Sequence, residues 1–457
     1  MSDSRESAIE YVRENYDRFL EDLRELVAIP SVSMQADHNS DMGRAAEWLA
    51  ARLTALGMEA VQVLPTTRHP VVYGEWLGAG GKAPTILVYG HYDVQPVDPL
   101  DLWKSDPYEA AQQGDYLFGR GTSDMKGQVI ASIAAIESLA KTSGLPVNVK
   151  WLLEGEEEMG SPSMAAFLPE HKDLLGADFC LNPDAGMIAP DQPTITYGLR
   201  GLAYFELHVW GPDHDLHSGL YGGTVHNPAQ ALAELVAGMH DAQGRITLPG
   251  FYDPVRPLDP EEHADMAKLP MDEAFYISQT GVPALWGEAD YLPIERVGVR
   301  PTLEVNGLLS GYTEAGSKTV LPAKAMAKLS CRLVPDQQPE QVHEQMLRYL
   351  EEHAPKSVHW ELKLLNVGST AITDRNLPGI KSMETAMETV WGARPLYKRE
   401  GGSIPVVAML QEVLGLESVL CGFSLPEDNV HAPNERLHLP TWSKGIDALV
   451  HFFANLA

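Results

Sequence analysis

The stretch TILVYGHYDVQP, residues 85–96, decides the reading of the fold. Ile86, Leu87, Val88 and Tyr89 form an unbroken apolar run that stops at Gly90. A run without alternation suits a strand buried on both faces, as in a parallel sheet. His91 and Asp93 follow at once. Read alone, they are a polar turn after a strand. In an open parallel sheet, however, ligands bind beyond the carboxyl ends of the strands. The pair is half of a metal site if matching groups stand at the ends of other strands.

Working outward, strands and helices alternate. VNVKWLLEG (147–155) and ADFCLNPD (177–184) read as further strands, and DMKGQVIASIAAIESLAK (124–141) as a helix capped by Ser123 or Asp124. Upstream, Ile9, Val12, Phe19, Leu20, Leu23 and Leu26 recur at helical spacing over residues 5–28, and a second helix is expected over 43–56. GAGGK (78–82) lacks phosphate-loop spacing and reads as a hairpin turn. Beyond residue 369 the pattern returns, with helices over 379–391, 404–414 and 441–454 and a strand near SVLCGF. Apolar strands interleaved with helices predict an α/β fold with a mostly parallel sheet covered by helices on both faces.

Near residue 200 the periodicity changes. GLAYFELHVWG alternates polar and apolar residues, and NPAQALAELVAGMHDA follows as a helix. After a proline-rich, irregular stretch (about 250–301) come the strands TLEVNGLLSG and AMAKLSCRLV, the helix PEQVHEQMLRYLEEH and the strand VHWELKLLNV. The order β-α-β-β-α-β is ferredoxin-like. The expected organisation is one domain from 1–199 and 369–457, with an α+β module inserted over 200–368.

The bulk properties narrow the partners. The chain has 457 residues, 63 Asp and Glu against 34 Lys and Arg, and a formal charge of −29. Nucleic acid and anionic membrane select basic surfaces, so neither is expected as a partner. Three scattered cysteines, Cys180, Cys331 and Cys421, argue against a disulfide framework and suit a reducing cytoplasm. The first residues carry charge throughout rather than a basic segment followed by an apolar one, so no secretory signal is expected. No apolar run is long enough to predict a membrane span.

The groups that match His91 do stand at segment ends. Glu156, Glu157 and Glu158 follow one strand, Asp184 follows another, and His431 lies in the loop after SVLCGF. Asp124 opens a helix. Each alone is an ordinary loop residue, and EGEEEMGS alone is an acidic turn. Together, nitrogen and oxygen donors from separated segments suit Zn²⁺, Mn²⁺ or Co²⁺ rather than a thiolate-seeking metal. Arg332 lies on the face of its strand shared with Lys328 and Ser330. A guanidinium fork there suits a carboxylate, or a structural ion pair.

GHYDVQP, GRGTSDMKG, EGEEEMGS, DLHSGLYGG, CRLVP, REGGSIP and HAPNERL together resemble the two-metal peptidase family of carnosinase, cytosolic non-specific dipeptidase, carboxypeptidase G, acetylornithine deacetylase and succinyl-diaminopimelate desuccinylase. The likeness spans nearly the whole chain and is strongest to the cytosolic dipeptidase branch. It implies two divalent ions per subunit, one held by His91, Asp124 and Asp184 and the other by Asp124, Glu158 and His431. Asp124 would bridge, Asp93 would fix the His91 ring, and Glu157 would act as general base on a water between the ions. A cis peptide after Asp124 is implied as well. His217 would stabilise the oxyanion from the other subunit of a homodimer, with Thr319, Arg332, Ser403 and His431 on the substrate. The inserted module would be lid and dimerisation domain. The implied reaction is hydrolysis of dipeptides or short peptides. An N-acyl-amino-acid deacylase of the same family, or a binder that has lost its chemistry, is the alternative. Asp at 184 favours the dipeptidase, because the deacylase branch typically carries Glu there.

Overall fold

The computed structural model describes residues 2–457, with side chains from Arg5 onward. The chain divides into two compact units. One comprises Met1–Tyr197, Thr373–Lys398 and Ile404–Ala457; the other comprises Gly198–Ile372 with the short segment Arg399–Ser403.

The first unit is built on a mixed sheet. Seven of its nine strands run in the order Glu59–Leu64, Val71–Trp76, Asn148–Glu154, Thr85–His91, Phe179–Asn182, Ser418–Leu420, Thr194–Leu199, and the short strands Ala371–Ile372 and Leu396–Glu400 both pair with the last. The four from Asn148–Glu154 to Ser418–Leu420 are mutually parallel, and the other three of the seven pair antiparallel. Successive residues of a strand face opposite sides. All but the first residue of Thr85–His91 are buried, so both faces of the sheet are covered there. Helix Lys126–Lys141 is buried from Lys126 through Leu139, which its run of Ala and Ile permits.

Several expectations shift in detail. The first helical stretch is two helices, Ser2–Glu14 and Tyr16–Val27. Asn15 breaks them, its side-chain amide donating to the Tyr11 carbonyl at 2.9 Å. The 78–82 turn is not a hairpin: it joins Val71–Trp76 to Thr85–His91, and Asn148–Glu154 lies between those strands. Neither Ser123 nor Asp124 caps the helix, which starts at Lys126 after an uncapped Met125. The Ser123 hydroxyl instead donates to Asp428 at 2.8 Å, and the Asp124 carboxylate meets two histidines. Strand Glu59–Leu64 is largely exposed, and Val71–Trp76 has only the short apolar run Val71–Val72–Tyr73, so neither has a strong strand signal in the sequence.

The second unit carries a four-stranded antiparallel sheet in the order Thr302–Ser310, Lys324–Leu333, Gly201–Trp210, His359–Gly368. With helices Pro228–Gly238 and Pro339–His353, the chain order is β-α-β-β-α-β, and the spatial order is second, third, first, fourth. Gly201–Trp210 alternates buried and half-buried residues over its full length. Its buried face, Ala203, Phe205, Leu207 and Val209, packs in one core with Leu232 and Leu235 of one helix and Val342 and Met346 of the other. The stretch expected to be irregular holds three short helices, Pro260–Met266, Glu273–Thr280 and Pro293–Gly298. Each begins with proline or follows an aspartate cap, signals that its sparse apolar residues do not amplify.

Candidate metal centre

The carboxyl ends of the parallel strands carry the polar groups. His91 is the last residue of its strand, the three glutamates follow Asn148–Glu154, and Asp184 stands two residues beyond Phe179–Asn182. The Asp184 loop is fixed by backbone contact with the segment after Ser418–Leu420. Ala185 N–H donates to the Cys421 carbonyl at 3.0 Å. A Cβ at Gly422 would come within 1.7 Å of the Ala185 carbonyl oxygen, so only glycine fits. His431 is presented by a turn in which Asn429, His431 and Asn434 all have positive φ. Asn434 secures that turn, accepting from Lys104 N–H at 2.8 Å and donating to the Leu102 carbonyl at 2.9 Å.

Two donor triads result. His91, Asp124 and Asp184 form one and Asp124, Glu158 and His431 the other, with the donor atoms of each triad within 4.8 Å of one another. Asp124 is common to both, and its two oxygens divide the work. Oδ1 lies 3.1 Å from His91 Nε2, and Oδ2 lies 2.9 Å from His431 Nε2. His91 Nε2 is also 3.8 Å from Asp184 Oδ2, and His431 Nε2 is 3.1 Å from Glu158 Oε2. The Asp124–Met125 peptide is cis.

Surrounding residues hold these donors in place. His91 Nδ1 faces the Asp93 backbone carbonyl at 3.0 Å and the Asp93 carboxylate at 3.4 Å, which leaves Nε2 as the donor atom aimed into the triad. The carboxylate of Asp93 is fully buried. It accepts from the Ser33 hydroxyl at 2.7 Å and from the backbone N–H groups of Glu157 and Glu158 at 3.2 and 3.1 Å. One aspartate therefore fixes both a histidine and the glutamate turn. Gln95 donates to Glu158 Oε2 at 2.9 Å.

The three consecutive glutamates have three different fates. Glu156 turns inward and accepts from His69 N–H, the Thr66 hydroxyl and the Ser163 hydroxyl and N–H. Glu158 meets His431. The Glu157 side chain has no hydrogen-bond or ion-pair partner among the described residues. Burial first, then the nearby acids Asp184, Glu158 and Asp124, hold it well above the usual carboxylate range despite the opposing pull of His91. With no neighbour engaging its carboxyl group, it is placed to carry a proton.

Glu435 was not singled out in the sequence, although it lies in HAPNERL four residues after His431. It is fully buried and accepts from Ser123 N–H at 3.0 Å, Asp124 N–H at 3.1 Å and Gly121 N–H at 3.0 Å, while Arg120 pairs with it at 2.7 Å. It thereby locks the loop that carries Asp124. Gln95, Ser33 and Asp428 were likewise unsignalled, because each acts only through tertiary hydrogen bonds.

The donor set fits a pair of divalent cations. Each triad offers one imidazole and two carboxylates, a nitrogen–oxygen set suited to borderline-hard ions. Burial lifts Asp184 to about 7, with Asp124 and Glu158 adding to the rise while the histidines oppose it. Contacts with Asp124 and Glu158 raise His431 to about 10. Acids crowded this closely call for positive charge among them.

The remaining expected site residues belong to the second unit. His217, exposed, pairs with Val320 in a short ribbon, and Ser218 N–H donates to the Thr319 carbonyl at 3.0 Å, so His217 and Thr319 are neighbours. His217 Nδ1 accepts from Gly219 N–H at 3.0 Å, which leaves Nε2 outward. Arg332 donates to the Ser403 hydroxyl at 3.0 Å, and that hydroxyl donates to the Arg200 carbonyl.

The chain is 32% identical to Beta-Ala-His dipeptidase of Homo sapiens, over 99% of this chain and 92% of that one. It is 32% identical to the Cys-Gly metallodipeptidase of Schizosaccharomyces pombe, over 100% and 99%. Among solved structures, human carnosine dipeptidase 1 superposes with a TM-score of 0.79 at 31% identity, covering 99% of this chain and 98% of that one. An M20 family metallo-carboxypeptidase from Sulfolobus solfataricus superposes with a TM-score of 0.81 at 32% identity, covering 96% and 99%. Residues 87–455 match the sequence profile of peptidase family M20/M25/M40, and the chain belongs to that family.

Proposed function

We infer that this protein is a metal-dependent dipeptidase that hydrolyses the peptide bond of dipeptides and short peptides with a free C-terminal carboxylate. The observation that carries the reading is the shared aspartate: Asp124 directs one oxygen toward each imidazole, so two cation positions have a carboxylate in common. His91 and Asp184 would complete one position, and Glu158 and His431 the other. A pair of divalent ions supplies Lewis acidity toward both the scissile carbonyl and water. Zn²⁺ or Mn²⁺ fits this donor set best, with Co²⁺ also compatible.

The chain's own residues supply the proton traffic and the grip on substrate. Glu157 takes the proton of the attacking water and delivers it to the leaving amine, a task for a carboxylate that no neighbour occupies. Asp93 keeps the His91 tautomer. His217 donates through Nε2 to the oxygen that becomes negative as the carbonyl turns tetrahedral. Arg332, set by Ser403 and assisted by Thr319, receives the substrate carboxylate. The second unit acts as lid and as the surface of a homodimer. Its sheet leaves Val305, Leu308 and Leu309 exposed on one edge strand and Leu365 and Val367 on the other, which suits burial against a second copy. The three cysteines are free and buried, in keeping with function in the cytoplasm. No described helix is long and apolar enough to cross a membrane.

The test is a panel of dipeptides beside N-acetyl and N-succinyl amino acids, with Zn²⁺ or Mn²⁺ returned to metal-stripped protein. Metal-dependent cleavage of the dipeptides is the expected result. Preference for the acylated amino acids would instead assign the deacylase reaction, and metal-free protein without turnover under any loading would assign a binder.

A further inference from the structure

The second unit contains a cavity of about 450 Å³ with an unusual charge for this protein. Four arginines line it, Arg200, Arg296, Arg300 and Arg332, against two glutamates, Glu288 and Glu304. The chain as a whole carries −29.

Most of that positive charge is not paired with an acid. Arg300 is satisfied: it pairs with Glu288 at 2.9 Å and lies over the rings of Tyr252 and Tyr291. Glu288 is thereby spent. The other three guanidiniums have no carboxylate partner among the described residues. Arg296 donates to the carbonyls of Tyr291 at 3.0 Å and Trp286 at 3.3 Å. Arg332 donates to Ser403. Arg200 is only 8% exposed and donates to the carbonyls of Gly401 at 3.0 Å and Arg300 at 3.4 Å. Burial, and after it the charge of Arg332, draws Arg200 down to about 10, still protonated at neutral pH. The one uncommitted acid of the lining, Glu304, is exposed. Glu304 and Glu400 offset part of the Arg200 charge through space, and desolvated cations held near one another with so little counter-charge favour an anionic ligand.

Under the dipeptidase reading, on which this inference rests, Arg332 takes the substrate's terminal carboxylate. One carboxylate leaves Arg200 and Arg296 unanswered. We propose that the cavity receives a C-terminal residue bearing two carboxylates, the terminal one on Arg332 and an Asp or Glu side chain on Arg200 and Arg296. The preferred substrates are then dipeptides ending in Asp or Glu. The volume is ample for such a residue, since ligand pockets span roughly 300–1,000 Å³.

Neutral isosteres separate charge from shape. With metal-loaded protein, kcat/KM for Ala-Glu should exceed that for Ala-Gln by about tenfold or more, the range of a charged hydrogen bond. The advantage should shrink as salt rises. Arg296→Gln and Arg200→Gln should each bring the Glu-to-Gln ratio toward one. Should Arg200→Gln fail to fold, the wild-type ratio and the less buried Arg296 still decide. A wild-type ratio at or below one overturns the proposal. Calorimetry on metal-stripped protein provides a readout free of turnover, with glutamate expected to bind about tenfold more tightly than glutamine. If no dipeptide is cleaved under any metal loading, the dipeptidase reading falls. The calorimetric ratio then judges the cavity by itself: equal binding of the two amino acids overturns the proposal.

Discussion

The two units each hold one concentrated polar centre, and the two have opposite sign. In the first, acids crowd around two imidazoles, and nearly every side chain is tied by a neighbour: Asp93 by three donors besides His91, Glu158 by Gln95, the Asp124 backbone by Glu435. In the second, guanidiniums gather in a hollow and most lack acidic partners. The acidic centre is preorganised for cations. The basic one has sparser ties and is prepared for an anion. Under the proposed function, a dipeptide's carboxylate would answer the second, and metal ions would answer the first. The contrast shows how buried charge of one sign, gathered in one place, nominates a ligand position and the class of ligand to test there.

Four perturbations test the contrast. The largest effect is expected at Glu157, whose carboxylate has no partner among the described residues. Glu157→Gln should lower kcat by about 10²–10⁴ while elemental analysis still finds two ions per chain; metal loss would show that Glu157 is a ligand. Next, Glu435→Gln should destabilise the fold by about 3–5 kcal/mol in denaturant titration, because it strands the buried Arg120. A change below 1 kcal/mol would mean that the Asp124 loop does not depend on this lock.

His217→Ala should reduce kcat by about 10²–10³, the cost of one oxyanion donor. Dimers mixed from His217→Ala and Glu157→Gln chains should regain activity if the histidine serves the neighbouring subunit. No recovery, with mixed dimers demonstrated, would place its action within one chain. The smallest effect belongs to the basic cavity. Arg332→Ala should raise KM by about 10- to 100-fold for substrates with a free carboxylate and much less for their C-terminal amides. Equal losses would remove Arg332 from the substrate site.

Much of the acidic centre is legible in the sequence because parallel strands announce themselves. An apolar run such as Ile86–Leu87–Val88–Tyr89 fixes where its carboxyl end falls, and the donors at such ends can be gathered by topology alone. What cannot be gathered that way is the assignment of tasks among neighbours. EGEEEMGS reads equally well as a solvated acidic turn, and only tertiary partners such as His69, Thr66 and Ser163 show why Glu156 turns away. The helix cap failed for the same reason: Ser123 and Asp124 have good capping side chains, but Asp428 and the histidines engage them first. The arginine cavity leaves no sequence signal, since its members are spread from 200 to 332 across strands, loops and a short helix. The alternating strands of the second unit are plain from period alone, whereas the three short helices between them have too few apolar residues for a periodicity.

The carboxylate of Asp124 has one further consequence. Under the proposed function it serves two cation positions at once, and that couples their occupancy: an ion at one position would help to hold the carboxylate that the other position shares. Loading isotherms for this protein should therefore depart from two independent hyperbolas, and a chelator should empty the pair together rather than by halves.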